Sequence, residues 1–118
     1  MSPTLQKWGL IVLKGLLTLA FGAAGLAKLA GAEMMVATFE AIGWGQWFRY
    51  VTGLIEVGSA VMLWIPGLVT LGAGLLVCTM AAAVLFHIFV LGPSLVPALV
   101  LGIIAALVLV ISRRPVAT

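Results

Sequence analysis

The sequence predicts an all-α fold, namely a transmembrane four-helix bundle with a short interfacial amphipathic helix between helices 1 and 2. Hydrophobic residues make up 64% of the 118 residues and charged residues only 8%, whereas charged residues are ~25% of a soluble domain. The apolar residues form four long runs, at residues 8–29, 47–65, 68–91 and 94–111. Each run is close to the ~20 residues that cross a bilayer. We therefore expect one membrane domain over residues 1–118.

One face of the first span carries Lys14, Thr18, Phe21, Gly25 and Lys28, and all of these except Phe21 are polar or small. Their alternating spacing of four and three residues keeps them on one side of a helix. Lys14 and Lys28 lie near opposite ends of the span, so each can extend its ammonium to the nearer membrane surface. For Lys28 a role inside the bundle is equally open, because it lies on the side of the membrane where the other polar residues gather.

Residues 31–42 are too short and too polar to span a membrane. One stripe of this segment is apolar, with Met35, Phe39 and Ile42. The opposite stripe is mostly acidic, with Glu33, Ala37 and Glu40. This pattern is typical of an amphipathic helix lying in the membrane interface. An aromatic belt at the headgroup level is expected next, from Trp44, Trp47, Phe48 and Tyr50.

Glu56 lies within the second span, which covers residues 47–65. A charged side chain at the bilayer centre costs roughly 2.5–3.5 kcal/mol on insertion scales, so Glu56 must face the bundle and have a partner. The residues on its helix face are mainly small or polar: Arg49, Thr52, Gly53, Ser59, Ala60 and Leu63. We expect this face to pack against neighbouring helices rather than lipid.

A tight turn at Pro66-Gly67 makes the second and third spans antiparallel. The face of the third span combines Gly72, Leu76, Thr79, Ala83 and His87, and His87 returns toward the half of the membrane that holds Glu56. Ser94 is a candidate cap for the fourth span, with Pro97 in its first turn. A ladder of small residues, Ala98, Gly102 and Ala106, predicts close packing of that span within its own chain.

Basic residues flank both ends of the chain, with Lys7 before the first span and Arg113-Arg114 after the last. With four spans, the positive-inside rule places both termini in the cytoplasm. We therefore expect a multi-pass protein of the bacterial inner membrane. The outer half of the bundle then holds four ionisable residues: Lys28, Arg49, Glu56 and His87.

Two interpretations of these residues stay open. The first is a structural lock, in which polar pairs position the helices. The second is an outward-facing cavity in which a neutral histidine and a carboxylate exchange a proton or hold a polar ligand head. We predict a pocket lined by Lys28, Glu56, His87, Arg49 and Glu40, without a direct Glu56–His87 bond. No metal site is expected, because one histidine with scattered acids is a poor ligand set.

Short motifs along the chain resemble the DoxX family. Gly25-Leu26-Ala27-Lys28-Leu29 is similar to the GxxKL ending of that family's first span. Further matches are Phe39 with Ile42-Gly43, Gly53-Leu54-Ile55-Glu56, Leu63 with Pro66, and His87. The resemblance implies a four-helix inner-membrane protein whose characteristic polar residues are Lys28, Glu56 and His87.

The resemblance also implies a link to quinone-coupled sulfur oxidation, as in thiosulfate:quinone oxidoreductase subunits, or to membrane complexes that handle oxidative stress. A quinone is then the expected ligand or cofactor, and a redox protein the expected partner besides the lipid bilayer. The chain is close to a minimal DoxX-like core. We therefore expect an accessory or ligand-binding membrane subunit more than an enzyme acting alone.

Functions of other classes are also compatible with the sequence. A non-catalytic scaffold or chaperone subunit needs only the packed helices and one exposed interface. A small multidrug-type transporter has this size, but its essential acid lies in the first span, where this chain has Lys14. The basic residues are too few for a nucleic-acid surface. A homo-oligomer is neither required nor excluded.

Overall fold

The computed structural model describes residues 2–92 and 95–113, and every regular element in them is a helix. The elements are α1 (Pro3–Ala30), α2 (Glu33–Ile42), α3 (Trp47–Met62), α4 (Val69–Phe86) and α5 (Val96–Arg113), with a π-helical segment (His87–Leu91) continuing α4. The all-α prediction is confirmed for these residues. Ser94, the predicted cap, and Arg114, part of the predicted basic flank, lie outside them.

The bounds of α1 and α2 follow from local capping. The Ser2 side chain accepts a hydrogen bond from the Leu5 N–H at 3.1 Å, and Pro3 occupies the first helical turn, where its missing N–H is not needed. Gly31 and Gly43 end α1 and α2 with φ of 77° and 83°, the left-handed conformation that glycine adopts without strain. These two glycines isolate α2 as a separate short helix.

A helix lies on each of the four stretches predicted to span a membrane. Two of them, Pro3–Ala30 and the continuous Val69–Leu91, are long and apolar enough to cross a bilayer. Helix α3 is shorter, with 16 residues, and carries Arg49 and Glu56. It ends at Met62 rather than Ile65, because the chain already turns toward α4 there.

The four longer helices pack side by side. Helix α1 contacts α3 and α5, and α4 contacts the same two helices. Buried apolar side chains fill the space between them: Leu17, Phe21, Leu63, Ala73, Leu76, Met80, Ala98, Ala105 and Val108. The predicted inward face of α3 is confirmed, since the structure buries Arg49, Gly53, Glu56, Ser59, Ala60 and Leu63.

Helices α1 and α3 approach each other closely where two glycines meet. A Cβ atom on Gly25 would lie 2.7 Å from Val57 Cγ2 and 3.0 Å from the Gly53 carbonyl oxygen. A Cβ atom on Gly53 would lie 3.0 Å from the Gly25 carbonyl oxygen. Only hydrogen side chains permit this backbone contact, so the glycine pair fixes how α1 and α3 cross.

Helix α5 packs through its small residues. A Cβ atom on Gly102 would lie 3.2 Å from Met80 Cβ, which confirms contact with another helix of the chain. Ala98 and Ala105 are buried, and Ala106 is half-buried, as is Gly102. A constant spacing of four residues drifts by about 40° per step around a helix with about 3.6 residues per turn, so Ala105 is buried more deeply than Ala106.

Helix α2 has the two faces that the sequence predicts. Phe39 is buried and Met35 and Ile42 are half-buried, whereas Glu33 and Glu40 are exposed. The helix contacts α1, α3 and the π-helical segment. It therefore lies across one end of the longer helices, with its apolar stripe toward them.

Candidate functional site: a buried ion pair at the aromatic end

The two ends of the molecule differ in composition. The aromatic end contains α2, the start of α3 and the π-helical segment. Its rings contact one another across these elements, with centroid distances of 5.4 Å for Trp44–Phe86, 6.0 Å for Phe48–Phe86 and 5.6 Å for Phe39–Phe48. The terminal end contains the start of α1, the α3–α4 turn and the end of α5. The candidate site lies at the aromatic end.

An ion pair joins α1 to α3 beneath the aromatic rings. Lys28 Nζ lies 2.7 Å from Glu56 Oε1, and the two side chains are only 12% and 2% exposed. Helical side chains lean toward the N-terminus of their own helix. Helix α1 ends at the aromatic end, whereas α3 begins there. This tilt therefore directs the Lys28 side chain away from the aromatic end and the Glu56 side chain toward it, so the two side chains meet although their Cα atoms lie at different heights along the helices.

Polar groups beside the pair are not all satisfied. Glu56 Oε1 is paired with the Lys28 ammonium at 2.7 Å and has no second partner among the described residues. Ser59 follows Glu56 by one turn on the same face, and its buried Oγ lacks a hydrogen-bond partner. Buried polar atoms normally have partners in the protein or in bound molecules. The region around Glu56 therefore keeps unused capacity for hydrogen bonds.

Arg49 joins three elements beside this pair. Its Nη1 donates to the backbone oxygen of Lys28 in the last turn of α1, which also accepts from the Gly31 N–H at 3.3 Å. Its Nε donates to Gln46 Oε1 at 2.7 Å, and Gln46 Nε2 donates to the Val36 oxygen of α2 at 3.1 Å. The guanidinium carbon also lies 4.3 Å from the centre of the Tyr50 ring. The planar, multi-donor guanidinium suits this bridging role.

Gln46 is a residue of this network that sequence reasoning missed. It lies in the short connection between α2 and α3, where no periodic pattern identifies a partner. The one available signal is its spacing of three residues from Arg49, since residues separated by three or four positions meet on a helix surface. Gln46 links the cation on α3 to the backbone of α2.

The predicted site residues are only partly brought together. The structure joins Lys28, Arg49 and Glu56, which we call the charge cluster. His87 is half-buried at the start of the π-helical segment, and its Nδ1 is buried without a partner. Within the described residues Glu56 pairs with Lys28 and not with His87; the predicted pocket around these residues stays a prediction. Glu40 is exposed on α2 and forms no ion pair within the described part of the chain.

Two cavities that the structure describes lie at the terminal end, and their linings do not include the charge cluster or His87. Lys14 lines both of them. Its Nζ lies 4.7 Å from the centre of the Trp64 ring, so it is held by an aromatic ring rather than by a carboxylate. Lys14 and Lys28, both on α1, thus have different environments.

Comparisons with known proteins address the chain as a whole. Neither the curated proteins nor the solved structures give a match. The family model for the DoxX-like family matches residues 12–112. The matched range covers most of the chain and contains the charge cluster and His87. The chain therefore belongs to the DoxX-like family, a family of small membrane proteins.

Proposed function

We propose that the protein is a small membrane subunit that binds the polar head of a membrane-dissolved ligand, such as a quinone, at its charge cluster. The observation that carries the proposal is the Lys28–Glu56 pair, buried between apolar helices beside the unpartnered hydroxyl of Ser59. Intramembrane ionisable residues are rare and commonly mark ligand or ion sites. In this proposal Lys28 donates to a carbonyl oxygen of the quinone, and Glu56 accepts from a hydroxyl of its quinol form.

The packing of α1 on α3 supports a role beyond structure for the pair. The Gly25–Gly53 contact already brings the two backbones together. A buried ion pair is often replaced by apolar side chains without loss of stability, so the charges are a poor explanation for the helix contact alone. Lys28, the more exposed partner, is the group that an incoming ligand would meet first.

His87 and Glu40 form the rim of the proposed site. His87 Nδ1 is buried without a partner, and the π-helical segment that carries it contacts α2. A π-helical turn within a longer helix is frequent at functional sites. The proposal concerns binding; a redox protein partner would supply electrons for any reduction of the ligand.

The test is a titration of the purified protein in mild detergent with a short-chain ubiquinone, followed by quenching of tryptophan fluorescence. We expect saturable quenching in the wild type and its loss in Glu56→Gln and in His87→Ala, with circular dichroism showing that both variants stay folded. Glu33→Gln is the matched control, because Glu33 is an exposed acid on α2, and it should bind like the wild type.

A scaffold function is the second candidate, and the Arg49 bridge between α1, α2 and the α2–α3 connection favours it. A subunit that only holds a partner needs its helices fixed relative to one another. If Glu56→Gln and His87→Ala both unfold in mild detergent with no loss specific to the ubiquinone, this function replaces ligand binding.

The proposed orientation places both termini in the cytoplasm of a bacterium and α2 at the outer face of the inner membrane. It is supported by Lys7 and by Arg113-Arg114 near the other end of the sequence. Single cysteines at Ser2 and Thr38, in a Cys78→Ala background because Cys78 is itself exposed, test it in intact cells. Thr38→Cys should react with an impermeant maleimide and Ser2→Cys should not; labelling of Ser2→Cys would reverse the orientation.

A further inference from the structure

The terminal end contains a second polar site that the proposed function does not use. A cavity of about 280 Å³ lies between the start of α1, the start of α4 and the end of α5. Its polar lining comes from Gln6, Lys14, Thr70 and Ser112. A neighbouring cavity of about 530 Å³ extends along α1 and shares Gln6 and Lys14. Helices α1, α4 and α5 thus line the smaller cavity, which we call the recess.

Gln6 is a buried donor without an acceptor. The residue is 9% exposed, lines both cavities, and its Nε2 has no hydrogen-bond partner. A buried amide N–H that lacks an acceptor is unfavourable, and such groups are usually satisfied by a bound molecule or water. A ligand that occupies the recess and offers an acceptor would satisfy it.

Lys14 brings a positive charge to the same recess. Its contact with the Trp64 ring, at 4.7 Å from Nζ to the centroid, is a cation–π interaction that uses no hydrogen-bond acceptor. The sequence contains three acidic residues, and all of them, Glu33, Glu40 and Glu56, lie on α2 and α3. None of them lines this recess. An anion that balances Lys14 must therefore come from outside these helices.

The start of α4 adds a third favourable element for an anion. Val69 and Thr70, in the first turn of α4, line the recess, and no side chain caps this helix. The N-terminus of a helix carries a partial positive charge and free N–H groups. The Thr70 and Ser112 hydroxyl oxygens lie 3.1 Å apart, and this contact holds α4 against α5 beside the recess. Ser112 itself donates to the Leu109 oxygen within α5.

We propose that this recess binds the phosphate group of an anionic membrane lipid. The lining offers an ammonium, an unpaired amide donor and a helix N-terminus, and no carboxylate. Leu10 and Ile111 add apolar wall beside the polar groups, which suits the glycerol and acyl portion of a lipid and not a free ion. Basic pockets between membrane helices recognise lipid headgroups in this way.

The test measures binding of dioctanoyl phosphatidylglycerol to the full chain in a neutral detergent, by its effect on melting temperature. We expect a saturable rise with phosphatidylglycerol and little with the matched phosphatidylcholine. Lys14→Gln should weaken binding about fivefold, because one lysine near anionic lipid contributes about that factor, and Lys14→Arg should retain it. Lys7→Gln is the matched control, because Lys7 lines only the neighbouring cavity.

Gln6→Leu gives a second, independent result. Removing the unpaired donor should leave the lipid-free protein as stable as the wild type or more stable, while binding weakens. The proposal is overturned by equal weakening in Lys7→Gln and Lys14→Gln, or by equal binding of the two lipids. An equal rise in melting temperature with inorganic phosphate, at the same concentration as the lipid, would assign the recess to a free anion instead.

Discussion

At the aromatic end, Lys28 lies 2.7 Å from a carboxylate and Arg49 donates to two acceptors. At the terminal end, Lys14 contacts the face of Trp64 and has no carboxylate partner within the described part of the chain. Helix α1 also packs more closely against its neighbours at the aromatic end than at the terminal end. Gly25 touches α3 closely, whereas a Cβ atom on Gly15 would have no neighbour within 4 Å.

The difference follows from where the three acidic residues lie. Because all three are on α2 and α3, the aromatic end can neutralise a lysine from within the chain, and its helices close around the pair. The terminal end has cations and helix donors without acids, and its helices leave a recess. The aromatic end, where Lys28 is paired with Glu56, is therefore tightly packed. The terminal end, where Lys14 has no carboxylate partner among the described residues, leaves a recess that a membrane component can fill.

Breaking the Lys28–Glu56 ion pair should lower stability more than any other substitution considered for the two ends. We expect Lys28→Leu to lower the free energy of unfolding by about 3–5 kcal/mol, because Glu56 is left buried without its counter-charge. Glu56→Leu should lower it by less, because the long Lys28 side chain is partly exposed and can turn toward the interface. Unfolding in mixed micelles of increasing dodecyl sulfate content measures both.

The double variant Lys28→Leu/Glu56→Leu is the control for that experiment. Removing both charges leaves apolar side chains of similar size, so stability should return to near the wild-type value. Additive losses in the double variant would mean that each side chain acts separately and that the pair is not the unit of stability.

The second prediction compares two glycines on α1. Gly25→Ala should lower stability by about 1–3 kcal/mol, since the new Cβ would meet Val57 Cγ2 at 2.7 Å and the Gly53 carbonyl oxygen at 3.0 Å. Gly15→Ala should leave stability unchanged or raise it by up to about 1 kcal/mol, because alanine favours the helix and the site is open. Thermal melting in detergent measures both, and equal melting temperatures would contradict the proposed difference in packing.

Sequence patterns predicted the helices and much of the charge cluster for identifiable reasons. An apolar run with one acid leaves a single plausible face, so the buried side of α3 followed from the positions of Gly53, Glu56 and Ser59. The all-α class followed from composition. Membership of the DoxX-like family, suspected from motifs around Lys28, Glu56 and His87, is confirmed by the family match over residues 12–112.

Other features depend on geometry that periodicity does not contain. Gln46 bonds to Arg49 and α2 from a connection whose path is set by Gly43 and Gly45, both with positive φ. Gln6 lies in the second turn of α1, where no sequence pattern indicates burial, and its burial depends on α4 and α5 meeting α1. The burial of Ala105 was not part of the predicted ladder of Ala98, Gly102 and Ala106, because rotation accumulates along a helix at a spacing of four residues.

A smaller effect is expected from Arg49→Lys at the aromatic end. Lysine keeps the charge but cannot donate in a fork to both Lys28 and Gln46, so one charge-assisted hydrogen bond should be lost, worth about 1.5 kcal/mol. Gln46→Leu removes the other side of the same link. The summed stability losses of Arg49→Lys and Gln46→Leu should exceed the loss of the double variant, because both single changes break the same link. A double-variant loss equal to the sum would show that the two residues act independently.

The smallest effect is expected at the terminal end, from Trp64→Phe. This change removes the 2.7 Å hydrogen bond from Trp64 Nε1 to Thr18 Oγ1 and weakens the ring contact with Lys14. Both contacts are near the surface, since Trp64 is 46% exposed, so the loss should be about 0.5 kcal/mol. Trp8→Phe is the matched control, because Trp8 is 59% exposed at the same end and should melt like the wild type. A loss in Trp64→Phe as large as that in Lys28→Leu would mean that the terminal end is held as firmly as the aromatic end, and that its open recess does not reflect weaker packing.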